Sequence, residues 1–140
     1  MIQLTYASRE VRPFSRQEIG ELLSACRRAN DAHQVTGMLL YSEGSFFQVL
    51  EGEKESVDRV FSRVSADDRH HKITTIVREK APRRSFGDWT MGYVGLSREE
   101  LSQAGDWAHE LTAPDAFNQI GVSRAKKLLR AFAGGRWRIA

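Results

Sequence analysis

The sequence predicts an α+β domain in the order β-α-β-β-α-β plus a fifth strand, with two helices packed on one sheet face. Three observations predict it. Two apolar runs, "VTGMLLY" and "SFFQVLEG", are joined only by Ser42-Glu43-Gly44 and read as a buried hairpin. An amphipathic helical pattern lies on each side of that hairpin. Outside these lie shorter strand patterns, one before the first helix and two after the second.

Each element has its own signal. "IQLTYA" puts Ile2, Leu4 and Tyr6 on one face of a first strand. "SRQE", Ser15 to Glu18, is a capping box, and the helix it opens carries Ile19, Leu22, Leu23 and Cys26 at helical spacing. A second helix starts from Glu53, with Val57, Val60, Phe61 and Val64 on its apolar side. "ITTIV" reads as the fourth strand, Pro82, Arg83 and Arg84 as a loop, and "DWTMGYV" as a fifth strand with Trp89, Met91 and Tyr93 on one face. This order is the ferredoxin-like pattern with an added strand. The remainder reads as helical. "SREE" from Ser97 is another capping box, and Ala125, Leu128, Leu129 and Phe132 form an apolar stripe ended by Gly134-Gly135. These C-terminal helices have too few apolar residues to fold alone and are expected to cap the sheet or meet a partner. Residues 1–95 are thus expected to form the core and residues 96–140 a dependent helical extension.

The chain of 140 residues suits one domain. No basic n-region or cleavage site opens it, no apolar run approaches the ~20 residues of a membrane helix, and Cys26 is its only cysteine. A cytoplasmic protein without intramolecular disulfides is expected. The net charge of +3 hides an asymmetry. Residues 123–140 carry six basic side chains and no acidic one, which leaves 15 basic and 18 acidic groups in the first 122 residues. A basic terminus can serve an acidic partner or simply be a solvated helix face. Nucleic acid is not the expected partner.

Three polar groups sit among apolar ones. Gln48 lies inside "SFFQVLEG". Asn30 falls about 20° round the first helix from Ile19, in the middle of its apolar face. Tyr6 ends an apolar strand face. A buried, unpaired carboxamide costs roughly 1–3 kcal/mol, so each needs a partner. Nearby backbone would satisfy any one of them. For all three together, with Trp89 and Met91, a buried polar heterocycle competes as the explanation. Its ring would satisfy the amides while apolar residues pack on its faces.

At these residues the sequence resembles the BLUF domain, a blue-light sensor that binds flavin, usually FAD. The resemblance rests on "LTYAS", "RRAN", "TGMLLY", "GSFFQVLEG", "DDRHHKI" and "FGDWTMGY", in the family's order and spacing over about residues 1–95. The C-terminal helices look like those of short, single-domain members. The resemblance implies that Asn30 bonds the pyrimidine edge of the flavin. Ala29 stands where some relatives carry a polar side chain, so anchoring there rests on Asn30. Gln48 is implied to link Tyr6 to the flavin N5/C4-carbonyl edge, with Tyr6 as electron and proton donor. Rotation or tautomerisation of the Gln48 amide rewires this network, which appears as a small red shift of absorption. Trp89 and Met91 are implied to be switch residues, and Leu39 and Ile19 ring-packing residues. Arg63, Arg69 and His70 are expected to contact ribityl or phosphate oxygens.

FAD is the expected cofactor, with FMN or riboflavin as alternatives. The expected partner is a separate signalling protein, such as a cyclic-dinucleotide phosphodiesterase or a response regulator, and the sensor itself is expected to be a homo-oligomer and not an enzyme. Two rivals share the fold: an acylphosphatase-like hydrolase and a flavin-free interaction module. The hydrolase would need a phosphate-cradling glycine loop after the first strand, and "ASREVRPFS" offers arginines but no such loop. No GxGxxG or Walker A motif is present, and His70-His71 has no ligand partner at zinc spacing. Colour separates the readings, because only the sensor should purify yellow.

Overall fold

The computed structural model describes residues 1–42, 44–86 and 91–95. Its elements are β1 (Ile2–Glu10), α1 (Arg16–Ala32), β2 (Thr36–Ser42), β3 (Ser45–Gly52), α2 (Lys54–Ser65), β4 (His70–Lys80) and β5 (Gly92–Gly95). The sheet order is β4-β1-β3-β2-β5. The first four strands pair antiparallel, and β5 adds parallel to β2. This is the expected α+β, ferredoxin-like order. Capping by residues 96–140 lies outside the described residues.

The capping box forms as read. Ser15 Oγ accepts from Glu18 N, and Glu18 Oε1 accepts from Ser15 N. Ile19, Leu23 and Asn30 are the buried residues of α1, and Val57 and Val60 those of α2. The hairpin closes at the Ser42↔Ser45 pair, with Gly44 at φ +82°, where glycine is at ease. Strand β3 is buried along its whole length, as its apolar run predicts.

Three extents differ from the sequence reading. Strand β1 continues through Ser8, Arg9 and Glu10, and β4 runs from His70 to Lys80 instead of ending with "ITTIV". The polar ends of β4 are tolerated because it is an edge strand and much of it faces water. The ladder with β1 holds those ends, through pairs such as Glu10↔His70 and Ile2↔Lys80. Strand β5 starts at Gly92, so Met91 sits in the bend just before it and not inside the strand. Trp89 lies outside the described residues.

Candidate functional site

Antiparallel register places the key residues. Gln48 on β3 is paired with Tyr6 on β1 and with Leu39 on β2, so the three form one row across the sheet. Directly paired residues share a sheet face, and this face looks toward the helices. Between them lies a cavity of about 360 Å³, within the size range of small-molecule sites. Tyr6, Leu39 and Gln48 form its floor. Cys26, Ala29 and Asn30 line it from α1, and Val60, Arg63 and Val64 from α2. Asp67, Arg69 and His70 close the side where α2 leads into β4.

The Gln48 amide has a defined orientation. The Tyr6 hydroxyl donates to Gln48 Oε1, and Gln48 Nε2 faces the Met91 thioether at 3.5 Å. One side chain thereby joins β1 to the residue before β5. The Tyr6 ring packs edge-on against Phe61, centroids 5.1 Å apart. Burial pushes the Tyr6 phenol well above its ordinary value, helped by Cys26 and Asp67. The phenol is therefore a proton donor throughout the neutral range. Burial likewise raises the Cys26 thiol to about 11.

Asn30 is fully buried on the cavity side of α1. Its main-chain carbonyl accepts from Val35 N at 2.8 Å and fastens the end of the helix to the chain entering β2. Its side-chain Oδ1 takes no hydrogen bond from the protein, which suits a residue that presents its amide to a ligand. Arg69 forks onto Asp67, with Nη2–Oδ2 at 2.6 Å and Nε–Oδ1 at 2.9 Å, and this holds the Asp67 carboxyl below its usual range. The His70 ring nitrogens meet Ser8 Oγ at 2.8 Å and the Val64 carbonyl at 2.7 Å. A carbonyl only accepts, so Nε2 carries a proton.

Most of the expected residues meet at this cavity: Tyr6, Asn30, Leu39, Gln48, Arg63, Arg69 and His70 all line it. Ile19 does not. It is buried in the core, while Leu22, Ala25, Cys26 and Ala29 supply the α1 wall. The reason is geometric. The cavity lies to one side of the stripe through Ile19, Leu23 and Asn30, where small side chains leave width. The run of small residues Ala25, Cys26 and Ala29 was the available signal for that wall. Met91 reaches Gln48 from beside the cavity. Among the described residues no group of three His, Cys, Asp or Glu side chains could hold a metal ion.

A slot with mostly apolar walls, amides at its edge and charges at one end takes a flat ring with hydrogen-bonding groups and a polar tail. Fold and site together define a domain that holds such a heterocycle between sheet and helices. The chain belongs to the BLUF family, sensors of blue light using FAD, whose pattern matches residues 1–92. The residues present fit that cofactor in apolar width, in the amides of Asn30 and Gln48, and in the cationic end.

The chain is 36% identical over 89 residues to the photoactivated adenylate cyclase subunit beta-like protein FB of Euglena gracilis, a match covering 63% of this chain and 10% of that protein. It is 35% identical over 91 residues to the blue light- and temperature-regulated antirepressor BluF of Escherichia coli, covering 63% and 23%. The chain thus spans only a tenth to a quarter of these curated relatives. Of solved structures, the dark state of the BLUF protein BlrB aligns at 32% identity and TM-score 0.67 over 95% of each chain. BlrP1 of Klebsiella pneumoniae, solved with FMN and cyclic diGMP, aligns at 26% identity and TM-score 0.74 over 96% of this chain and 34% of that one.

Proposed function

We propose that the cavity holds the isoalloxazine ring of FAD and that Tyr6, Gln48 and Met91 form the hydrogen-bond chain which light rewires. The observation that carries this is the Tyr6–Gln48–Met91 chain, which runs from the cavity floor to a residue beside it. When bound, the flavin supplies blue-light absorption and an excited state that accepts an electron. Tyr6 would supply the electron and, because burial disfavours charge on its oxygen, pass its proton toward Gln48 Oε1; charge recombination would return both and leave only the hydrogen bonds changed. Rotation or tautomerisation of the Gln48 amide then changes which of its ends donates. The Tyr6 oxygen then accepts where it had donated, and the donation to the Met91 thioether is lost, without backbone movement in β3. Asn30 would hold the pyrimidine edge, and Leu39 would pack on a ring face. Arg63, Arg69 and His70 face the ribityl and phosphate oxygens. Trp89 competes with Met91 for the place beside Gln48.

Beyond the cavity, residues 1–95 are the sensor core and residues 96–140 its output extension, acting on a separate effector. A cyclic-dinucleotide phosphodiesterase or a response regulator fits, since relatives carry the names of photoactivated cyclases and one was solved with cyclic diGMP. We place the sensor in the cytoplasm as a homo-oligomer. No helix among the described residues is long and apolar enough to cross a membrane. One absorption spectrum tests the core of this reading. Purified protein should show oxidised-flavin bands that shift red under blue light and recover in darkness. Chromatography of the released cofactor separates FAD from FMN and riboflavin. Colourless protein that refuses added FAD would sink the proposal.

A further inference from the structure

Met91 is held twice. Its sulfur meets Gln48 Nε2, and its main-chain carbonyl accepts a hydrogen bond from Arg27 Nε at 3.0 Å. Arg27 sits on α1 directly after Cys26, which lines the cavity, and three residues before Asn30. Its Nε meets the chain just before β5, the strand that pairs with β2 at one edge of the sheet. The other end of the segment leading to Met91 is anchored differently. Glu51, fully buried on β3, accepts from the main-chain nitrogens of Ser85 at 2.8 Å and Phe86 at 2.5 Å. Arg84 adds bonds to the carbonyls of Gln34 at 2.6 Å and Glu51 at 3.1 Å. One end of the segment is therefore fastened to the sheet interior by a multiply bonded carboxylate. At the other end, the partly buried Arg27 on α1 donates from Nε to the Met91 carbonyl.

We propose that Arg27 is a positioning residue of the photoswitch: it holds the Met91 carbonyl so that the thioether stays against Gln48, and this bond links the state of Gln48 to helix α1. The inference rests on the photosensor reading for its light response, but the bond itself concerns only this chain's residues. When the Gln48 amide changes the end it presents, Nε2 no longer donates to Met91 Sδ and one of the two holds on Met91 is lost. The Glu51 anchor keeps residues 84–86 in place, so movement falls on Met91 and on the bond to Arg27. A long side chain rooted next to the cavity wall thereby carries the change to a helix, in addition to any route through the strands.

Two variants and the parent chain test this: Arg27→Met, which keeps the apolar stem but cannot donate, and Arg27→Lys, which can. Methyl-labelled methionine NMR in the dark reports Met91 whether or not light does anything. The Arg27→Met protein should show a displaced Met91 methyl resonance, and Arg27→Lys should return it toward the parent position. Dark recovery after blue light should slow about tenfold in Arg27→Met, the change made by losing one hydrogen bond of ordinary net strength, and recover in Arg27→Lys. Light-dependent hydrogen exchange of residues 16–32 should be present in the parent and lost in Arg27→Met. An unmoved Met91 resonance with parent-like recovery in Arg27→Met overturns the proposal, as does a defect that Arg27→Lys fails to relieve. A parent chain without any photoresponse defeats the photosensor reading instead, and the dark methyl spectra still decide whether Arg27 positions Met91.

Discussion

The Gln48 side chain gives its oxygen to a phenol and its nitrogen to a thioether, a pairing that needs an acceptor and a donor on one side chain. Leucine at this position keeps the volume and loses both contacts. Gln48→Leu should fold and keep flavin, at a stability cost of about 1–3 kcal/mol for the Tyr6 hydroxyl left without an acceptor. It should show no light-induced red shift. Tyr6→Phe should also lose the shift if it removes the proposed proton and electron donor. Difference spectra of both variants check the two roles separately, and a normal shift in either removes that residue from the chain. Cys26 makes a second residue-level case. Its thiol is raised from 9.0 to about 11 by burial, so the unfolded chain loses this proton first. Its contribution to stability is complete below pH 9 and disappears as pH climbs toward 11. Urea midpoints of the flavin-free protein should fall across that window, and less steeply in Cys26→Ala. Tyr6, Asn30 and Gln48 were legible in the sequence because a polar atom on an apolar face is a local contradiction. Ile19 and Leu22 were not separable in that way. Helical periodicity tells which residues point inward, but not which of two inward neighbours meets the sheet and which a cavity.

Among the elements, the β2–β3 hairpin holds the row that builds the cavity floor, and its tightness depends on Gly37. A Cβ at that position would lie 1.9 Å from the Val49 carbonyl oxygen, an atom of the partner strand's backbone that cannot swing aside. Gly37→Ala should therefore separate the strands and cost about 1–3 kcal/mol, the usual range for overpacking. A parent-like denaturation midpoint would show that the hairpin has slack the register does not suggest. The hairpin and both helices were readable because apolar period, capping box and turn chemistry agreed at each. The reach of β4 was not, since its ends are set by pairing with β1 and carry no apolar alternation: His70, His71 and Lys72 at one end, Arg78, Glu79 and Lys80 at the other. Nor was the Glu51 anchor. A carboxylate in "QVLEG" looks like the polar end of a strand, yet it is fully buried, with Gln3, Thr36, Ser85 and Phe86 donating to it. Those donors come from distant parts of the chain, which no local window brings together.

On the scale of the whole molecule, the question is how a few rearranged hydrogen bonds reach a partner. A partner responds only if it binds the two states with different free energies, so some surface must differ between dark and light. Two routes leave the cavity. One runs through Arg27 to α1. The other follows the chain itself, from Met91 through β5, which pairs parallel with β2, into residues 96–140. The second route ends in the marked charge asymmetry of the sequence, six basic and no acidic side chains from residue 123 onward. An effector with an acidic face suits that segment, and its affinity should weaken as salt screens the exposed charges. Hydrogen exchange of residues 97–140 in dark and light distinguishes an output surface from a cap that only covers the sheet. Light-dependent protection there, abolished in Met91→Ala, is the expected result. Identical protection in both states, for parent and Met91→Ala alike, with a light response confined to residues 16–32, would instead make α1 the surface that the effector reads.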